Sequence, residues 1–280
     1  MNDLPPLDVR ALLRQYGLHP DRKLGQNFLI DNHGLRKVIA AADIDPAEDV
    51  LEIGSGLGNL TRLLAGAARQ VAAVEIDTRL IPPLEAVLQD LDNVQLVQGD
   101  ILSLDPASLM GSQPYLVVAN IPYYITSAVI RHLLESRPHP KRLILTVQRE
   151  VAERICAAPG ELSLLALSVQ VYGHPEIKSH IPAGAFYPVP RVDSAVIRVD
   201  IYPEPQIPEA RLDLFFRLAK AGFSQKRKTL RNSLAGGMAW QKDWAADLLL
   251  LTGIDPMRRA ETLSLEEWGE LTHSAHRALS

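Results

Sequence analysis

Asn120-Ile121-Pro122-Tyr123 stands directly after Tyr115-Leu116-Val117-Val118-Ala119, an apolar run that reads as a short buried strand. Pro122 has a fixed φ and lacks an N–H, and it biases Ile121 toward extended geometry. The turn is therefore stiff. A stiff turn can aim the Asn120 side chain and a backbone carbonyl at one point, with an aromatic ring beside them. Two acceptors and a stacking face suit a planar base bearing an exocyclic amine. The alternative is an ordinary Asn-x-Pro turn followed by a core tyrosine, so other stretches must decide.

A second candidate is Glu52-Ile53-Gly54-Ser55-Gly56-Leu57-Gly58, where the apolar run from Asp49 enters a glycine turn and a helix start. Glycines let backbone N–H groups approach a ligand closely. The spacing is one residue short of the dinucleotide fingerprint, and tight packing of strand on helix would also explain it. Its context strengthens the binding reading. Val71-Ala72-Ala73-Val74-Glu75 is a second apolar strand ending in an acid, about 20 residues on, where a ribose-binding carboxylate belongs. Val94 to Asp100 forms a third such strand, and Asn120 ends a fourth.

The elements that must position these groups follow from periodicity. Helical stretches are predicted at 58–68, 79–90 and 126–136, after earlier ones at 7–16 and 33–42. Alternating strands and helices imply a doubly wound, mostly parallel sheet, in which ligands bind outside the carboxyl ends of the strands. Gly54, Glu75, Asp100 and Asn120 all fall at that edge. Lys141 to Gln148 is a fifth strand with a helix from Arg149 to about 157, Leu164 to Val171 is read as a sixth strand, and Ser194 to Val199 alternates as another. Phe186 and Tyr187 sit in a loop stiffened by Pro188 and Pro190, where an aromatic either anchors the core or offers a stacking face. Lys23 to Leu29 has no clear period; it reads as a solvated linker or as a segment folded over a ligand. The proline-dense stretch Tyr202 to Glu209 marks a boundary, so residues 1–203 are expected as one domain and 207–280 as a helical second one. Between Asp213 and Asp243 there is no acid, while Lys226, Arg227, Lys228 and Arg231 supply charge, which suits phosphate contacts or a solvated face.

Composition narrows the class. Of 280 residues, 47% are hydrophobic and 22% charged, as in ordinary globular chains. No run reaches membrane-spanning length. The single Cys156 excludes an internal disulfide and suits a reducing compartment, and the eight histidines lack zinc-ligand spacing. A net charge of −4 argues mildly against nucleic acid but can hide a basic patch.

Taken together, Leu24-Gly25-Gln26-Asn27-Phe28-Leu29, the glycine turn, Asn120-Ile121-Pro122-Tyr123, Phe186-Tyr187-Pro188-Val189-Pro190-Arg191-Val192-Asp193-Ser194 and Arg227-Lys228-Thr229-Leu230-Arg231-Asn232-Ser233-Leu234 resemble the ribosomal RNA adenine dimethyltransferase family, in its bacterial small-subunit branch. The resemblance covers nearly the whole chain. It implies a Rossmann-like class I methyltransferase core with a small all-helical C-terminal domain. It further implies S-adenosylmethionine held by Gln26, Asn27, Leu29, Gly54, Gly56, Glu75 on the ribose, Ile76, Asp100 on the adenine amine, Ile101 and Asn120. On this resemblance Asn120 and the Ile121 carbonyl accept from the target amine, Pro122 holds the turn, and Tyr123 and Phe186 stack the base. Lys226, Arg227, Lys228 and Arg231 are then expected to contact RNA. The implied product is dimethyladenosine in 16S ribosomal RNA, made by a cytoplasmic monomer acting on the small ribosomal subunit or its precursor, without metal or membrane. Tyr187 and Arg191 depart from a small residue and a lysine common in related sequences. Two rivals stand beside this reading: a large-subunit adenine methylase of the macrolide-resistance type, and a non-catalytic ribosome assembly factor.

Overall fold

The computed structural model describes residues 7–121 and 125–279. Its strands are β1 (Phe28–Leu29), β2 (Asp49–Ile53), β3 (Gln70–Glu75), β4 (Val94–Gln98), β5 (Tyr115–Asn120), β6 (Arg142–Gln148), β7 (Gly173–Ile181), β8 (Phe186–Tyr187) and β9 (Ser194–Ile201). Seven of them form one sheet in the order β4-β3-β2-β5-β6-β9-β7. The pairs from β4 across to β6 are parallel, and β9 runs antiparallel to β6. Every residue of β2 is buried, as are the first five of β5, because a parallel sheet is covered on both faces. That is why β5 reads as an unbroken apolar run rather than an alternating one, while β2 buries two acids, Asp49 and Glu52, among its apolar residues.

The order reverses at β2. From there the chain builds outward through β3 to β4, then returns to place β5 on the other side of β2. The crevice at such a switch point is where doubly wound sheets bind ligands. Its walls are the turn after β2 and the end of β5. Helices Asn59–Ala65, Ile81–Leu88, Pro106–Met110 and Thr126–Glu135 fill the crossovers. Thr126–Glu135 buries Val129, Ile130, Leu133 and Leu134, the spacing of one helical face.

The chain groups into two compact units, Met1–Ala152 with Glu176–Ile201, and Glu153–Pro175 with Tyr202–Ser280. A boundary near 203–207 was expected; the grouping of residues 153–175 with the later helices was not. Leu164 to Val171, expected as a strand, is instead the helix Leu164–Gln170. An apolar run this short has no decisive period. Ser163 decides it: its side chain accepts from Ala166 N at 3.2 Å and starts the helix.

The second unit is built on helices Glu209–Phe223, Leu230–Met238, Lys242–Leu251 and Leu265–Leu279. Trp268, Phe215, Leu218, Leu230 and Leu234 are fully buried in it. Gly237 lets two helices touch, since a Cβ there would stand 2.5 Å from the Ala221 Cβ. Among the described residues no helix is long and apolar enough to cross a membrane.

Candidate active site

A cleft with about 100 Å³ open to water lies at the carboxyl ends of β2, β3 and β5, inside the first unit. Gly54 and Gly56 form its floor with positive φ values of 77° and 59°, which only glycine adopts without strain. A Cβ on Gly56 would stand 3.0 Å from the Phe28 ring, so the close approach of that ring also requires glycine. Glu75, Ile76, Asp100 and Ile101 line it together with Leu24 to Phe28, Asn120, Ile121 and Ile125.

Glu75 is 4% exposed and organises two turns at once. Its Oε2 accepts from Gly56 N at 2.7 Å and its Oε1 from Asp77 N at 2.9 Å. Burial raises its pKa, against the lowering effect of those backbone donors. A carboxylate has about four acceptor sites, so both oxygens keep capacity for hydroxyl groups in the cleft. Asp100 accepts from Leu102 N at 3.0 Å, which fixes its carboxylate at the cleft wall.

Asn120 is oriented by one hydrogen bond. Its Nδ2 donates to the Asn27 carbonyl at 3.0 Å, which sets the amide's sense and leaves Oδ1 as the acceptor. Among the described residues no donor is bonded to that oxygen. The segment carrying Asn27 is itself held. Gln26 Nε2 donates to Asp77 Oδ2 at 2.7 Å while its Oε1 accepts from Asp21 N. Asn27 Nδ2 donates to the Gly25 carbonyl. Arg79 grips Asp77 through two nitrogens at 2.8 and 2.7 Å and holds its carboxyl below the usual range. Residues 24–28 are therefore a folded wall of the cleft, and the linker reading is excluded.

The structure brings Gln26, Asn27, Gly54, Gly56, Glu75, Ile76, Asp100, Ile101, Asn120 and Ile121 to this one cleft. Gln26 arrives with both ends of its amide engaged by the scaffold, so its part is positioning. Leu29 lies beside a smaller neighbouring cavity, and its carbonyl accepts from Asn59 Nδ2. Pro122 and Tyr123 lie outside the described residues. Phe186, expected to stack the base, is 1% exposed, belongs to the buried core cluster that also holds Leu29, Ile181, Ala185 and Val196, and lines neither cavity. The core-anchor alternative fits, because β8 is stapled to β1 (Leu29↔Phe186) and the alternation turns Phe186 inward. In the second unit, Lys226, Arg227 and Lys228 are exposed on the turn before Leu230–Met238, while Arg231 is half-buried with its Nε unpartnered.

Sequence reasoning passed over Glu52. It is 1% exposed and lines a 30 Å³ cavity behind the glycine turn with Ser55, Asn59, Thr146 and Asn120. Among the described residues Glu52 Oε2, Ser55 Oγ, Asn59 Oδ1 and Thr146 Oγ1 have no hydrogen-bond partner, and the space suits water. Burial, with the Glu75 charge adding to it, pushes the Glu52 carboxyl up from 4.5 to about 8. The folded state thus binds a proton that the unfolded chain has released. This stability contribution is full below about pH 4.5 and is lost as pH rises through about 8. Glu52→Gln should flatten the decline in unfolding free energy between pH 5 and 8, measured by urea denaturation. An unchanged pH slope would mean that Glu52 is ionised in the folded protein.

A glycine-floored crevice at a switch point, with acids ending the adjoining strands, defines a Rossmann-like nucleotide-binding core. The residues present fit S-adenosylmethionine: backbone floor, carboxylate for hydroxyls, acid for an amine, and apolar Ile76 and Ile101 for a base. The description "Ribosomal RNA adenine dimethylase" matches residues 18–275, and the chain belongs to that family. It is an S-adenosylmethionine-dependent adenine methyltransferase acting on ribosomal RNA. A protein named ribosomal RNA small subunit methyltransferase A from Dehalococcoides mccartyi is 46% identical over 94% of this chain and 91% of its own. One of the same name from Moorella thermoacetica is 42% identical over 94% and 95%. Among solved structures, a dimethyladenosine transferase from Plasmodium falciparum matches 89% of this chain and 98% of its own at 26% identity and TM-score 0.75. The 23S rRNA methyltransferase ErmE matches 89% and 99% at 29% and 0.72.

Proposed function

We propose that this enzyme dimethylates the exocyclic amine of adenosine in small-subunit ribosomal RNA, in the cytoplasm and as a monomer. The observation that carries the chemistry is the fixed Asn120 amide with its open acceptor at the wall of the cleft. The small-subunit target is supported by relatives at 46% and 42% identity that bear that name, against a 29% likeness to a 23S enzyme.

The cofactor supplies an electrophilic methyl on a sulfonium, so the chain need only align the incoming nitrogen and polarise it. Adenine's amine is a weak nucleophile because its lone pair is delocalised into the ring. Asn120 Oδ1 and the Ile121 carbonyl would accept its two N–H groups, favouring the pyramidal amine that forms in the transition state. Glu75 would take the ribose hydroxyls and Asp100 the cofactor's adenine amine. A product that keeps one N–H can be methylated again. The target base must leave its stack to reach the cleft.

Lys226, Arg227 and Lys228 would contact phosphates. Reversing all three charges should weaken RNA binding and reduce the slope of log affinity against log salt by roughly two to three. Filter binding over a salt series measures this; an unchanged slope assigns the three to a solvated face. Arg231 is excluded from the test because its half-buried guanidinium would mix structure with binding.

The function is tested by incubating purified small and large ribosomal subunits, unmodified at adenosine N6, with enzyme and labelled cofactor. Dimethyladenosine mapped to small-subunit RNA is expected. Label confined to the large subunit would transfer the reading to the rival methylase, and binding without methyl transfer to the assembly-factor rival.

A further inference from the structure

Beyond β8 the chain runs Pro188-Val189-Pro190-Arg191-Val192-Asp193 before entering β9. Val189 is 61% and Val192 45% exposed. In the first unit's described residues only Ile76 and Leu102 are comparable large apolar exposures, and Ile76 already belongs to the cleft wall. Single exposed valines need no explanation. Two at the tip of one stiff loop beside a substrate cleft are a different matter.

The loop is stiff for identifiable reasons. Pro188 and Pro190 fix their own φ and restrict the residues before them. Phe186 anchors the approach in the core. At the far end Asp193 Oδ1 accepts from Ala183 N at 2.9 Å, and its carbonyl accepts from Arg149 N at 3.1 Å. The loop is also close to the cleft. It begins one residue after Tyr187, whose register partner is Phe28, and the Phe28 ring stands over Gly56 on the cleft floor. Tyr187, one of the two departures from the family pattern, carries the Arg10 guanidinium 4.7 Å over its ring, which adds a further brace. Arg191, the other departure, is exposed between the two valines.

We propose that Val189 and Val192 form an apolar wedge that enters the RNA base stack beside the target adenosine, with Arg191 on the adjoining phosphate. The inference rests on the reading that the cleft accepts an adenosine of structured RNA. Drawing a base out of its stack leaves an apolar gap, and inserted aliphatic side chains are a general way to fill one. A rigid loop suits the task, because a flexible one would lose the ordering entropy at each encounter. The valines are positioning residues: they act on the neighbours of the target and touch no reacting atom.

The test compares wild type with Val189→Ser/Val192→Ser and Val189→Leu/Val192→Leu. All three should unfold at the same temperature, since the changed side chains are exposed. In single-turnover methylation of small ribosomal subunits at saturating cofactor, the serine variant should be roughly 10-fold slower or more, and the leucine variant near wild type. Cofactor affinity should be equal in all three. A second readout uses RNA carrying 2-aminopurine at the mapped target. Its fluorescence should rise on binding wild type or the leucine variant and stay low with the serine variant. A serine-variant rate within twofold of wild type, or a deficit that leucine does not restore, overturns the wedge. Wild type that leaves small-subunit RNA unmethylated overturns the functional reading, and the wedge with it.

Discussion

Replacing Asn120 by alanine is expected to slow methyl transfer by roughly 100-fold or more, the scale for deleting one preorganised hydrogen-bonding partner of a transition state. The acceptor is effective because it is already in place. Asn120 ends β5 opposite Thr146 of β6, so its backbone is fixed by the sheet, and its amide is turned by the Asn27 carbonyl at 3.0 Å. The alanine variant keeps the Ile121 carbonyl and removes the side-chain acceptor. It also cuts the tie between β5 and residues 24–28, so cofactor affinity should fall modestly. RNA affinity should change much less, since phosphate contacts dominate it. Single-turnover methylation of small subunits at saturating cofactor isolates the rate, and filter binding isolates the affinity. A near-wild-type rate would reduce Asn120 to a turn residue.

The contrast between Asn120 and Phe186 shows which parts of the site a sequence can carry. Strand ends are local events. An apolar run followed by a glycine or an acid marks both the strand and its carboxyl end, and Gly54, Glu75, Asp100 and Asn120 were legible on that basis. Three of the crossover helices followed from ordinary spacing, to within a few residues, while the five-residue helix Pro106–Met110 was too short to show a period. What failed was either short or non-local. Residues 164–170 are apolar without a deciding period, and only the Ser163 cap separated helix from strand. β7 was passed over because His174, Glu176 and Lys178 alternate with only partly buried residues, and Pro175 argues against a strand. β1 and β8 have two residues each and are some 160 positions apart, so neither has a signal without the other. That pairing decides both the wall at residues 24–28 and the direction of Phe186. Glu52 was visible beside the glycine turn, but its burial, and so its proton, depends on packing that no spacing encodes.

Phe186→Ala is expected to destabilise the fold by about 3–5 kcal/mol, the usual range for removing a buried phenylalanine. The ring is 1% exposed and belongs to the core cluster that holds Leu29, Ile181, Ala185 and Val196, so its loss leaves a cavity at the base of the β1–β8 staple. The effect should reach the cleft through that staple. Leu29 faces Phe186 in register, Ile30 N donates to the Ala185 carbonyl at 2.9 Å, and Phe28 and Asn27 continue into the cleft wall. Cofactor affinity should therefore fall together with stability, whereas a ring that only stacked the target base would slow methyl transfer and leave both unchanged. Urea denaturation and calorimetric titration of the cofactor separate the two cases. Phe186→Leu, which refills most of the cavity, should recover the larger part of both losses. Unaltered stability with slowed methyl transfer would return Phe186 to the base.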